Sequence, residues 1–156
     1  MNACLHGKDG AFLLSLCVRS RLVALYGGEF IFSFTIFAMM SLTIFLESIR
    51  NNTAVSFNDT IAVITEHYHY QPTQFSNGLA EQALISAAGT NEGSCKIFAF
   101  AQIHQLTEQQ TLNLFGDYYR VDVLNDPDGS GHQNIRNFMR DGWAGIAFNG
   151  TPLTAK

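Results

Sequence analysis

Ser94-Cys95-Lys96-Ile97-Phe98-Ala99-Phe100-Ala101-Gln102-Ile103 is the stretch on which the fold turns. It follows a loop, Gly89-Thr90-Asn91-Glu92-Gly93, and its helical pattern continues to Leu106. Apolar side chains point to almost every side, which predicts a helix buried all round at the centre of the domain. Such a helix must be covered, and the flanking sequence supplies the cover. Upstream, Phe57, Ile61, Ile64 and Tyr68 are spaced 4, 3, 4 along one helical face. Ser56 stands where a cap is needed and Asp59 lies in the first turn, where the helix dipole favours an anion. Further upstream, Leu42, Phe45, Leu46 and Ile49 mark another amphipathic helix. Pro72 holds Gln71 extended, so Gln71–Ser76 reads as a short strand stopped by Asn77-Gly78. Leu79–Ala88 carries a helical patch. Downstream, Thr107-x-x-Gln110 is a capping box that begins a helix with Leu112, Phe115 and Tyr119 on its inner face. Asn125 to Gly131 is a loop by its turn residues. The last helix starts at His132, with Ile135, Phe138 and Met139 directed inward. Gly145–Phe148 and Thr151–Leu153 flank Asn149-Gly150, a hairpin signal. The expected fold is α+β: about five helices around a central buried helix, with a small antiparallel sheet that includes a C-terminal hairpin.

Composition narrows the function classes. The 156 residues are 47% hydrophobic and 14% charged, against about 25% charged in an average soluble domain. So much apolar surface excludes intrinsic disorder. Three cysteines, an odd number, exclude a disulfide scaffold. Nine basic side chains against thirteen acidic ones argue against a nucleic-acid binder held by phosphate contacts. Charge is uneven, with three basic and two acidic residues in 1–40 and six basic and eleven acidic in 41–156. Phe30–Leu46 runs for 17 residues without a charge, the lower limit for a membrane span, behind Arg19 and Arg21. No small-x-small cleavage site follows it. Met39-Met40 offers an alternative start of translation. Residues 1–39 are therefore expected to be an apolar N-terminal extension outside the domain, or outside the native protein, and 40–156 the folded unit. Their removal is expected to leave thermal stability unchanged. Membrane association is expected only if Phe30–Leu46 spans.

Several segments carry a resemblance. Asn91-Glu92-Gly93-Ser94-Cys95-Lys96-Ile97-Phe98-Ala99-Phe100-Ala101 resembles the signature of the HopJ family. Leu114-Phe115-Gly116-Asp117-Tyr118-Tyr119-Arg120, His132 to Met139, Gly142-Trp143-Ala144-Gly145 and Leu153 to Lys156 continue the likeness in order, over Met40–Lys156. The family takes its name from type III effectors that plant-pathogenic bacteria inject into host cells. The resemblance implies a small α+β domain without an assigned reaction. It also implies a bacterial protein that resides in the bacterial cytoplasm, or in a host cell if secreted, and whose partner would then be a host protein.

Three sets of residues could carry chemistry. Cys95 lies one residue inside a predicted helix start, where free N–H groups and the dipole would lower its pKa. With His132 and Asn134 it would suit a cysteine-dependent hydrolase or acyl transferase. Packing in the core is the alternative for a free cysteine ahead of an apolar helix. His67 and His69, and Asp122, Asp126, Asp128 and His132, lack the spacing of a defined metal site, and no metal or cofactor is expected. Gly89-x-x-x-Gly93-Ser94-Cys95-Lys96 lacks the Gly-Lys-Ser/Thr order of a phosphate loop. Asp117, Tyr118, Arg120, Arg136 and Trp143 would line a polar groove for a protein or small ligand if they converge. Otherwise Asp117 and Arg120 simply pair at i, i+3.

Overall fold

The computed structural model describes residues 42–156. The extension 1–39 and most of the Phe30–Leu46 run lie outside the described residues. A first helix, α1, covers 42–50, with Leu46 and Ile49 buried. Then come α2 (Phe57–His67), β1 (Tyr68–Tyr70), β2 (Phe75–Asn77), a 3-10 turn (Ala80–Gln82), β3 (Leu84–Ser86) and α3 (Glu92–Ile103). The chain continues through α4 (Glu108–Asn113), a π-helical turn (Tyr118–Val123), α5 (Gln133–Asp141), a 3-10 turn (Gly142–Gly145), β4 (Ile146–Phe148) and β5 (Leu153–Ala155). The architecture is α+β, as the patterning predicts. Among the described residues no helix is long and apolar enough to cross a membrane.

α3 is the central element. Cys95 is buried and, after the half-buried Lys96, so are the five consecutive residues Ile97 to Ala101, a run that only a helix covered on almost every side can hide. The Phe98 ring meets Phe138 at 4.9 Å and Phe115 at 5.4 Å, so it ties α3 to α5 and to the end of α4. Phe100 meets Tyr68 at 5.8 Å and Phe45 at 6.2 Å, which ties α3 to β1 and α1. Burial of one such ring contributes about 3 kcal/mol.

Both predicted caps form. Ser56 Oγ accepts from Asp59 N at 3.0 Å and starts α2. Thr107 and Gln110 complete the capping box at α4.

The strands depart from expectation. Of the expected Gln71–Ser76 strand only Phe75 and Ser76 are in a strand, β2. Pro72, which has no N–H to give a ladder, lies in the link from β1, and β1 itself begins at Tyr68, a residue expected on the helix face. The Leu79–Ala88 patch becomes a 3-10 turn and β3. The C-terminal hairpin does not form: β4 pairs with β2 in a three-stranded sheet of order β3-β2-β4, and β5 pairs with β1 in a separate two-stranded sheet, all antiparallel. The reason lies in where the linker sends its backbone groups. Asn149 N donates to Gln74 O at 2.9 Å, continuing the β2 side, and Pro152 O accepts from Gln71 N at 2.8 Å, starting the β1 side. The neighbours β1 and β2 thus draw the two last strands apart.

The inner face of α5 is Asn134, Ile135, Asn137 and Phe138, not Ile135, Phe138 and Met139. Asn77 Nδ2 donates to the Asn134 backbone O at 2.6 Å and to its Oδ1 at 3.1 Å, and Asn137 Nδ2 donates to Asn77 O at 2.9 Å. Docking α5 on the end of β2 through these amides rotates the helix and leaves Met139 exposed.

Candidate functional site

The starts of α3 and α5 open into one cleft of about 600 Å3. Asn91, Gly93 and Ser94 line it from α3, and His132, Gln133, Asn134 and Ile135 from α5. Phe57, Leu84, Phe115 and Tyr118 complete the wall. Two backbone kinks of the same kind create this geometry. Asn91 (φ 51°, ψ 37°) and His132 (φ 54°, ψ 43°) both precede their helix in the left-handed region, which few residues other than glycine adopt. In that conformation neither side chain caps its helix. Asn91 Nδ2 instead donates to Ser86 Oγ at 3.0 Å, and His132 Nε2 lies 3.2 Å from Asp122 Oδ2.

The cost falls on the first-turn N–H groups. In α3 the first N–H to find an acceptor is that of Cys95, at 3.0 Å from Asn91 O. In α5 it is that of Ile135, at 2.9 Å from His132 O. The N–H groups of Glu92, Gly93, Ser94, Gln133 and Asn134 have no acceptor among the described residues. An aromatic wall stands opposite. Tyr118 packs edge-on against Phe57 at 5.1 Å and lies 5.2 Å from the His132 ring. Phe57 is seated against Gly93, where a Cβ would come within 2.7 Å of its ring.

Of the eight residues the sequence nominates, three line the cleft: Tyr118, His132 and Asn134. Cys95 does not. It is fully buried, and its Sγ–H donates to Thr73 O at 3.7 Å. Burial pushes its thiol above the ordinary value, opposite to the shift a nucleophile needs. The structure therefore does not assemble Cys95, His132 and Asn134 into a catalytic constellation: His132 pairs with Asp122, and Asn134 with Asn77. Ser94 shares the cleft with His132 but makes no hydrogen bond to it.

Asp117, Arg120, Arg136 and Trp143 hold structure and do not line the cleft. Arg120 Nη2 donates to Val55 O at 2.9 Å and to Asp117 Oδ1 at 3.0 Å, fastening the segment ahead of α2. Arg136 staples the 125–131 loop by donating to the carbonyls of Gly131, Pro127 and Asp126. Trp143 Nε1 donates to Leu106 O at 3.2 Å, and its ring meets Phe138 edge-on at 5.1 Å. Among the described residues no group of three His, Cys, Asp or Glu side chains could hold a metal.

Phe57, Leu84, Asn91, Gly93, Ser94, Phe115, Gln133 and Ile135 escaped the sequence reading of the site. The one local signal is His132, a poor cap, ahead of α5; Asn91 ahead of α3 is a favoured cap type and gives no sign that the cap is unmade.

The family model for the HopJ type III effector protein matches residues 42–153. The chain is also similar to the crystal structure of VPA0580, a protein of unknown function. The two are 44% identical with a TM-score of 0.69, over 74% of this chain and 93% of that one. No curated protein matches the chain.

Proposed function

Since the chain belongs to the HopJ type III effector family, we propose that it acts by recognition and not by turnover. It takes a small ligand, or a side chain of a protein, into the cleft between α3 and α5. As an effector it would be made in the bacterial cytoplasm and meet that target in a host cell. The observation that carries this proposal is the cleft. It is preformed and has aromatic walls and polar helix starts, the usual make-up of a binding site. The buried, raised thiol of Cys95 speaks against nucleophilic catalysis.

A fragment panel titrated into 15N-labelled full-length protein tests it. Saturable shifts of the Gly93, Ser94, Gln133 and Asn134 amides, with no turnover of acyl, ester or amide substrates, are expected. Robust turnover that Cys95→Ala abolishes would overturn the proposal. A translocation reporter fused to the chain tests the effector role separately.

A further inference from the structure

We infer that the cleft binds a carboxylate carried on a small apolar body, gripped by the backbone N–H groups of both helix starts and by the side-chain amide of Asn134. This rests on recognition by the cleft as proposed above, and it names the chemistry recognised.

Four observations lead to it. First, four N–H groups on two helices, those of Gly93, Ser94, Gln133 and Asn134, have no acceptor among the described residues and belong to residues that line one cavity. α3 has 12 residues and α5 has 9, so each brings a full dipole whose positive end faces the cleft. Each helix also starts with a left-handed residue followed by a right-handed one, which turns successive N–H groups toward a common point.

Second, Asn134 is only 7% exposed and lines the cleft. Its Oδ1 is taken by Asn77 Nδ2, while its own Nδ2 has no acceptor among the described residues. Among the described residues the enclosed side-chain polar atoms without a partner are His67 Nε2, Tyr70 OH and Asn77 Oδ1; Asn134 Nδ2 is not one of them, so it reaches open space. An acceptor on a ligand in the cleft would give this open donor the partner that the fold does not.

Third, no Lys or Arg lines the cleft. Lys96 lies 3.6 Å from Glu92 and over the Tyr70 ring, and Arg120 and Arg136 are held by carbonyls elsewhere. Asp122 beside His132 adds a negative charge nearby. Two helix starts without a fixed cation suit one negative charge, a carboxylate, better than the two of a phosphate monoester.

Fourth, Phe57, Leu84, Phe115 and Ile135 offer nothing to a polar ligand, so they face the apolar body that carries the acid.

The test is an NMR titration of the 15N-labelled full-length protein with phenylacetate, phenylacetamide and inorganic phosphate. Phenylacetate is expected to shift the Glu92, Gly93, Ser94, Gln133 and Asn134 amides saturably. Its affinity should exceed that of phenylacetamide at least about tenfold, the usual gain from hydrogen bonds to a charged acceptor. Ser94→Asp, which supplies an internal carboxylate at the α3 start, should abolish the difference while the protein stays folded. A tetrapeptide ending in Phe, with its C-terminus free or amidated, identifies the source of the carboxylate. Tighter binding than phenylacetate by the free form alone points to a chain end, and weaker binding points to a free acid; both support the inference. Equal affinity for phenylacetate and phenylacetamide would overturn the inference and leave recognition by the cleft standing. Tighter binding of phosphate, or no cleft response to phenylacetate, would also overturn it. Failure of the whole fragment panel at the cleft is what would sink the recognition proposal itself.

Discussion

The helices of this domain start in two ways. α2 and α4 each satisfy one first-turn N–H with a side chain, Asp59 N through Ser56 and Gln110 N through Thr107. α3 and α5 enter through a left-handed residue, and their caps are missing. The open pair lines the cleft with its backbone starts, whereas the capped starts contribute one side chain to it, Phe57. Side-chain capping contributes about 1 kcal/mol per helix, so on the proposed reading its absence at two starts facing one cavity is stability given up for binding.

The sharpest way to break the comparison is at the capped start of α2. Gly116 has φ +63°, and a Cβ there would lie 2.6 Å from Phe57 N and 3.1 Å from Ser56 C. Gly116→Ala combines strain with a backbone clash and is expected to cost about 3 kcal/mol in urea denaturation. An unchanged midpoint would mean that α2 is not pinned there.

The next effect compares caps directly. Thr107→Ala removes a cap that exists and should cost about 1 kcal/mol. Asn91→Gly removes none; it loses the bond to Ser86 and gains freedom at φ 51°, so stability should stay within about 0.5 kcal/mol. Equal losses in the two variants would erase the distinction between the two kinds of start.

Filling an open start should help by a smaller amount. Ser94→Asp puts a carboxylate in the first turn of α3 and is expected to raise stability by about 0.5 kcal/mol, less at high salt. A loss at every ionic strength would show that the α3 start has no room for an anion.

The smallest effect belongs to the far end of α3. There His104 Nε2 lies 2.7 Å from the Tyr68 hydroxyl. Burial, and then the charge of Arg50, holds the imidazole below its ordinary value. The folded protein thus keeps His104 neutral where the unfolded chain takes up a proton, so unfolding binds protons below about pH 6.5. Stability from this residue is full above that pH and falls as the solution is acidified toward the depressed value. Melting curves at pH 7.5 and 5.5 should show a drop that His104→Gln reduces; the same drop in the variant would exclude His104 as its source.

What the sequence made legible was local. Ser56, Thr107 and Gln110 announce their helices because a cap is read within four residues. α3 announces its burial because its apolar residues leave no outer face. The hairpin failed because Asn149-Gly150 specifies a bend and not a partner, and the partners, Gln71 and Gln74, lie far upstream. The nominated site failed for a related reason. Cys95 does lie in the first turns of a helix, but the helix begins at Glu92, and the resulting phase turns the thiol to Thr73 O and away from the cleft. Arg120 and Arg136 look like ligand residues until their backbone acceptors, supplied by the fold, are seen. That two uncapped starts face each other is a tertiary fact, written in neither start alone.

The parting of β4 and β5 has a kinetic side. β5 joins a strand from the beginning of the described chain, with Tyr68 opposite Ala155, and β4 joins β2. Neither sheet can reach its full width until residues 146–155 have been made. The helices, whose contacts are nearer in sequence, can collapse first around α3. The last ring closures span most of the domain and carry the largest loop entropy, which places them late on the folding route. The C-terminal strand is thus the latch of the molecule, the piece whose docking turns a collapsed helical cluster into a finished domain.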